Sequence, residues 1–281
     1  MSESSFGENK RIIDDKRAAA DALTEWLLTE SVKNYLSETD EITPDSLSEA
    51  YLSSFGGELI SESFARFCMK TAEMAGDRII PFPDYTEEDE ETVSARISYI
   101  KNTTSDKAYS SFSDKLNGAS AVYGNSFDEI CEEVYYGRTD YALIPIYTSH
   151  DGCLSPFRRL ILKYDLKIAY MTEIESDDEG ITRFALVKKG LMFFPDSVYP
   201  VQNMLVSIIP EVGDQFMMIL SCIKALGASV FAVNTYSSEY SPDESVYDIS
   251  FRANSVTRAA LWFFLESTHI RYTAVENYII I

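Results

Sequence analysis

The residues best suited to chemistry fall in a few short clusters. Thr182-Arg183-Phe184 sets a hydroxyl beside a guanidinium able to pair bidentately with a carboxylate, and an aromatic ring follows. The plain alternative is a strand start whose threonine caps and whose arginine meets a surface acid. Ser149-His150-Asp151-Gly152 follows an apolar strand pattern and forms a turn, where ligand loops commonly lie, but a lone histidine beside an aspartate is more often a solvated turn pair than a base. Arg158-Arg159, with Lys163 and Lys167, is the one basic cluster, suited to an anionic small molecule or to balancing neighbouring acids. The acid run Glu87 to Glu91 offers oxygen atoms to a divalent cation. It lacks the turn glycine and spaced ligands of a built calcium loop and reads as a solvated linker. Cys68, Cys131, Cys153 and Cys222 are widely spaced, and His150 and His269 are the only histidines. That pattern gives no zinc set, no disulfide framework and no legible Ser-His-Asp or Cys-His order. No metal and no cofactor is expected.

The chain has 281 residues with 45 acidic and 24 basic side chains, a formal charge of −21. Such a polyanion repels phosphate backbones and anionic lipid, so nucleic acid and membrane are not expected partners. No apolar run reaches the roughly 18 residues of a spanning helix, and the polar, acidic start Met1 to Glu8 has no secretory pattern. A cytoplasmic protein is expected.

These clusters need elements to hold them. Residues 1–80 read as helical, with Ile12, Ile13, Leu23, Trp26 and Leu27 recurring at helical spacing. Thr43-Pro44-Asp45 is a helix start, and Gly56-Gly57 divides the apolar face that follows. Residues 81–94, proline-bracketed and acidic, read as a linker. From 95 to about 190, strands alternate with helices. Ser126-Phe127-Asp128-Glu129 has capping-box spacing, and Tyr141 to Ile146 is an apolar strand. The last ninety residues read βαββαβ, the ferredoxin-like order.

Ser126 to Ile130, then Gly137-Arg138-Thr139-Asp140-Tyr141 leading to Ile144-Pro145-Ile146, resembles prephenate dehydratases, whose helix leads through Gly-x-x-Asp-Tyr into a strand ending Val-Pro-Ile. The likeness continues through Ser149, Gly152, Asp165 to Ile168 and Glu173, and Thr182-Arg183-Phe184 matches the family's Thr-Arg-Phe motif. The segment after about residue 203 resembles the ACT domain of that family. The resemblance implies catalytic roles for Thr182, Arg183, Phe184 and Ser149, with Thr182 assisting the leaving hydroxide as prephenate decarboxylates. It also implies an effector site at Gly213-Asp214-Gln215 and Thr235-Tyr236-Ser237, and dimers formed through the ACT-like sheet.

The departures are specific. The family's Pro-Ile-Glu-Asn-Ser is here Pro145-Ile146-Tyr147-Thr148-Ser149, and its Gly-Pro-x-Gly-Thr-Phe-Ser falls on Lys101 to Lys107 without glycine or proline. Where the family inserts a second α/β lobe, only Ile174 to Ile181 stand between Glu173 and Thr182. So short a stretch, under about 30 Å when extended, builds no lobe. The N-terminal helices match a chorismate mutase in position, but Arg11, Lys16 and Arg17 fit a solvated helix face better than a dicarboxylate site.

The expected architecture is α/β plus α+β: an N-terminal helical region (1–80), an acidic linker (81–94), a reduced single-lobe dehydratase-like α/β domain (95–195) and a C-terminal ferredoxin-like βαββαβ ACT domain (200–281). The expected role is a catalytically impaired dehydratase relative that senses a small ligand, an amino acid or a prephenate-like dicarboxylate, as a homodimer or larger assembly. The alternatives are an active divergent dehydratase making phenylpyruvate, CO2 and water, or a purely structural assembly protein.

Overall fold

The computed structural model describes residues 3–78, 85–86, 94–176, 180–192, 194–211, 215–237 and 244–281. In chain order the elements begin α1 (Glu3–Glu38), α2 (Pro44–Phe55), α3 (Glu62–Ala75), β1 (Tyr85–Thr86), β2 (Arg96–Tyr99), α4 (Thr103–Lys115), β3 (Ser120–Tyr123), α5 (Phe127–Tyr135), β4 (Tyr141–Thr148) and β5 (Gly152–Cys153). They continue α6 (Ser155–Lys163), β6 (Leu166–Ser176), β7 (Gly180–Lys189), β8 (Leu191–Met192), β9 (Gln202–Ile208), α7 (Gln215–Ala225), β10 (Ser229–Ser237), β11 (Ser245–Ala253), α8 (Ser255–Thr268) and β12 (Tyr272–Ile280). The acid run 87–91 lies outside the described residues. No described helix is long and apolar enough to cross a membrane.

The chain forms two compact units. One is helical and gathers Met1–Pro81, Met217–Gly227 and Val256–His269, so α1 to α3 share it with most of α7 and α8. Thr43 caps α2 by accepting from the Ser46 N–H, while the Ser46 hydroxyl accepts from the Thr43 N–H and Pro44 opens the first turn. Ser61 caps α3 by accepting from the Phe64 N–H at 3.2 Å, without a reciprocal bond, and Gly56 ends α2. The Phe64 and Phe264 rings meet at 6.2 Å, and the Ser267 hydroxyl donates to the Pro44 carbonyl at 2.8 Å. In α1 the buried contacts come from Leu28, Val32 and Tyr35, whereas Ile13, Leu23 and Trp26 of the expected apolar face are exposed. Among the side chains described, from Ile13 onward, burial in α1 falls in its C-terminal part.

The other unit holds Phe82–Phe216, Ala228–Ser255 and Ile270–Ile281, and is built on one mixed sheet of ten strands. Its order is β10-β11-β9-β12-β6-β7-β4-β2-β3, with β5 paired to β4. The first four strands are antiparallel and carry the βαββαβ order of a ferredoxin-like segment. β12 pairs in parallel with β6 through Ile279↔Tyr170 and Ile280↔Met171, which joins these four strands to the rest of the sheet. β6 and β7 form a hairpin from Leu166↔Lys189 to Ser176↔Gly180. No lobe is inserted between Glu173 and Thr182.

At the other end, β2 pairs in parallel with β3 on one side and β4 on the other. The chain runs β2-α4-β3 and then crosses back through α5 to β4, so the winding reverses between β2 and β4. In open α/β sheets, ligands gather beyond the carboxyl ends of the strands at such a reversal. Tyr99, Phe112, Tyr170 and Phe184 share one buried cluster with α4; Ile130, Val134, Ile161 and Ile168 share another with α5 and α6.

The caps are local. Asn102 accepts from the Ser105 N–H at 2.8 Å and opens α4. Ser126 caps α5 by accepting from the Glu129 N–H at 3.1 Å. The expected reciprocal bond shifts by one residue, because the Glu129 carboxylate accepts from the Asn125 N–H at 2.8 Å. That bond holds its carboxyl below the usual range.

Candidate functional site

A cavity of about 410 Å3 opens at the reversal between β2 and β4. One wall is the start of α4, with Asn102, Thr104 and Ser105; another is the end of β4, with Pro145 and Thr148. Thr182 and Phe184 of β7 close the side, and His150 and Asp151 form the lip.

The lip is tied to the sheet. The Thr148 hydroxyl donates to the Asp151 carboxylate at 3.1 Å and accepts from the Asp151 N–H at 2.9 Å. Ser149 is joined to β7: its N–H donates to the Ile181 carbonyl at 2.8 Å, and its hydroxyl accepts from the Ile181 N–H at 3.2 Å. Ser149 therefore fixes the strand position of Thr182 and lies outside the cavity lining. Thr182 is buried, pairs across to Thr148 and Ile174, and makes no side-chain hydrogen bond among the described residues. Its hydroxyl is open to whatever enters the cavity.

Arg183 goes the other way. Strand side chains alternate between faces, and its guanidinium lies over the Tyr147 ring at 4.6 Å and donates to Glu173 at 2.5 Å. A register shift between Pro145 and Tyr147 lets both Ile146 and Tyr147 face that side, while Pro145 and Thr148 face the cavity. Thr182 and Phe184 are thus brought together with the α4 start, and Arg183 is not. Among the described residues, no lysine or arginine lines this cavity, and no group of three or more His, Cys, Asp or Glu side chains is placed to hold a metal.

Of the residues expected to form an effector site, Gly213 and Asp214 lie outside the described residues. The Gln215 side-chain carbonyl accepts from the Glu211 N–H at 2.6 Å. Thr235 and Ser237 are exposed near the end of β10, while Tyr236 is buried and donates to Asp248 at 3.1 Å.

The basic cluster balances acids. Lys163 pairs with Asp128 and Lys167 with Asp165, both at 2.7 Å. Arg158 is 3% exposed; it donates through Nε to Asp248 at 2.8 Å, through Nη1 to Glu276 at 2.5 Å and through Nη2 to Ser207 at 2.9 Å. Asp248 also accepts from Ser207 and Tyr236, whereas the second Glu276 oxygen has no hydrogen-bond partner among the described residues. One guanidinium offsets one carboxylate. Burial pushes the Glu276 carboxyl up more than Arg158 draws it down. Burial also opposes the Arg158 charge, but the two carboxylates outweigh it and push its pKa up. This cluster was not legible in sequence, since its members are 90 and 118 positions apart.

No family model and no curated relative matches the sequence. Solved structures do. The prephenate dehydratase of Streptococcus mutans superposes with TM-score 0.54 at 14% identity, over 66% of this chain and 99% of that one. The prephenate dehydratase of Arthrobacter aurescens, solved in complex with L-Phe, gives 0.51 at 13% identity over 64% and 89%. That of Staphylococcus aureus gives 0.51 at 8% identity over 65% and 99%. Over about two thirds of its length, this chain therefore has the fold of prephenate dehydratases.

Proposed function

We propose that this protein binds a small aromatic carboxylic acid or amino acid at the β2–β4 cavity without efficient dehydration, and serves as a ligand-sensing relative of the dehydratases. The observation that carries this reading is the separation of Thr182 from Arg183. The cavity keeps an open hydroxyl, an aromatic wall in Phe184 and Phe127, and the start of a helix, features suited to holding a carboxylate and a ring. Among the described residues it has no lysine or arginine to clamp the second carboxylate of prephenate, and the paired strands of the β6–β7 hairpin supply no opposing wall to exclude water. The L-Phe complex of the Arthrobacter aurescens dehydratase supports an amino-acid ligand class.

The βαββαβ segment is read as an ACT-like regulatory module, with an effector site at residues 213–215 and 235–237. Its outer strand β10 lies at the end of the sheet order and is the edge through which a homodimer would pair. Calorimetric titration with phenylalanine, phenylpyruvate and prephenate tests the binding reading. Saturable binding that weakens in Thr182→Val supports it, and no heat with any of the three refutes it.

A second reading, an active divergent dehydratase, is favoured by the open Thr182 hydroxyl. It requires that prephenate lose CO2 and hydroxide, with Thr182 assisting the departing oxygen, to give phenylpyruvate.

A further inference from the structure

A second cavity, of about 430 Å3, opens on the other side of the sheet, where β4, β6 and β7 adjoin β9 to β12. Its floor is buried and includes Arg158, Asp248, Ser250, Leu205 and Tyr278. Ile146, Ile168, Met171 and Ile280 give it an apolar wall, and Asn203 and Asn234 add amide groups.

Two lining guanidiniums each lie over an aromatic ring: Arg183 over Tyr147 at 4.6 Å, and Arg252 over Phe231 at 5.9 Å. They differ in one respect. Arg183 is committed to Glu173, and the buried Arg158 to Asp248 and Glu276, whereas Arg252 forms no ion pair among the described residues. In a chain with 45 acidic side chains, a cavity-lining arginine without a carboxylate stands out. Its planar fork matches a carboxylate, and it sits at the exposed rim of the cavity over the half-exposed Phe231 ring. The volume and mixed lining fall in the range of small-molecule sites.

We propose that this cavity is a separate binding site for a small carboxylate with an apolar body, an amino acid or an oxo acid. Its carboxylate is held by Arg252, and its body lies against Phe231, Met171 and Ile280. The proposal does not depend on the reading of the β2–β4 cavity.

Cys153 reports on the site. It lines this cavity and is half-buried, whereas Cys68, Cys131 and Cys222 are buried. Burial pushes its thiol up, so alkylation by iodoacetamide is followed at about pH 8.5 by peptide mass spectrometry. Phenylalanine, phenylpyruvate and phenethylamine are the probes. Either carboxylate should slow Cys153 labelling several-fold, and phenethylamine, lacking the carboxylate, should not. Protection by phenylalanine alone assigns an amino acid; protection by phenylpyruvate alone assigns an oxo acid. Arg252→Ala, with Arg252→Gln as a second variant, should raise the half-protecting concentration about tenfold or more. Circular dichroism confirms that both variants fold. No protection by either carboxylate, or protection unchanged in both folded variants, overturns the proposal. Protection lost in Thr182→Val also overturns it, because the ligand would then lie in the other cavity.

Discussion

Thr182 and Arg183 are neighbours in β7 and serve opposite sides of the sheet. Thr182 lines the cavity at the β2–β4 reversal, while Arg183 lies over Tyr147 and is bonded to Glu173. A hydroxyl and a guanidinium that look like one motif in sequence therefore cannot grip one small molecule together. This relationship underlies the functional reading.

The first consequence concerns Arg183. It and Glu173 are each 48% exposed, so their ion pair contributes little, about 0–1 kcal/mol. Arg183→Ala should shift the urea midpoint only slightly and leave the Thr182-dependent component of calorimetric phenylalanine binding within about twofold. A tenfold loss of affinity would place Arg183 at the same ligand as Thr182.

Thr182→Val keeps the shape of a buried side chain and removes its hydroxyl. Loss of one hydrogen bond to ligand predicts about 2- to 10-fold weaker binding in the same titration. Unchanged affinity would mean that the hydroxyl faces no ligand.

Arg158 fastens α6 to β9, β11 and β12 through Ser207, Asp248 and Glu276. Arg158→Ala strands two buried carboxylates and should cost about 3–5 kcal/mol in chemical denaturation. A loss below about 1 kcal/mol would show that the cluster is wet or rearranged.

Glu276 carries a pH signature. Its folded pKa lies above the unfolded value of about 4.3, so the native state binds the proton more tightly. Its contribution is fully present below that unfolded value and is lost as pH rises through the raised folded pKa. Stability of the native chain minus that of Glu276→Gln should therefore fall with rising pH across this window. Denaturation at several pH values measures the difference, and a rise would reverse the assignment.

Much of the fold was legible because its signals are local. Thr43-Pro44, Ser126 and the βαββαβ rhythm act within a few residues and appear where the sequence places them. The helix α4 was not, because Thr103 to Lys115 is mostly polar and buries only Ser105, Ala108 and Phe112. The Thr-Arg-Phe cluster was visible as residues, but its division between two faces follows from strand alternation and the shift at Pro145 to Tyr147. The Arg158 cluster depends on pairings across three distant strands, which no short window carries.

The central claim is that a cavity facing no second lobe, with Arg183 turned away, binds without efficient turnover. Phenylpyruvate formation from prephenate, compared between the native protein and Thr182→Ala, tests it most directly. The account predicts equal, background rates for the two proteins. Brisk formation that disappears in Thr182→Ala would contradict it.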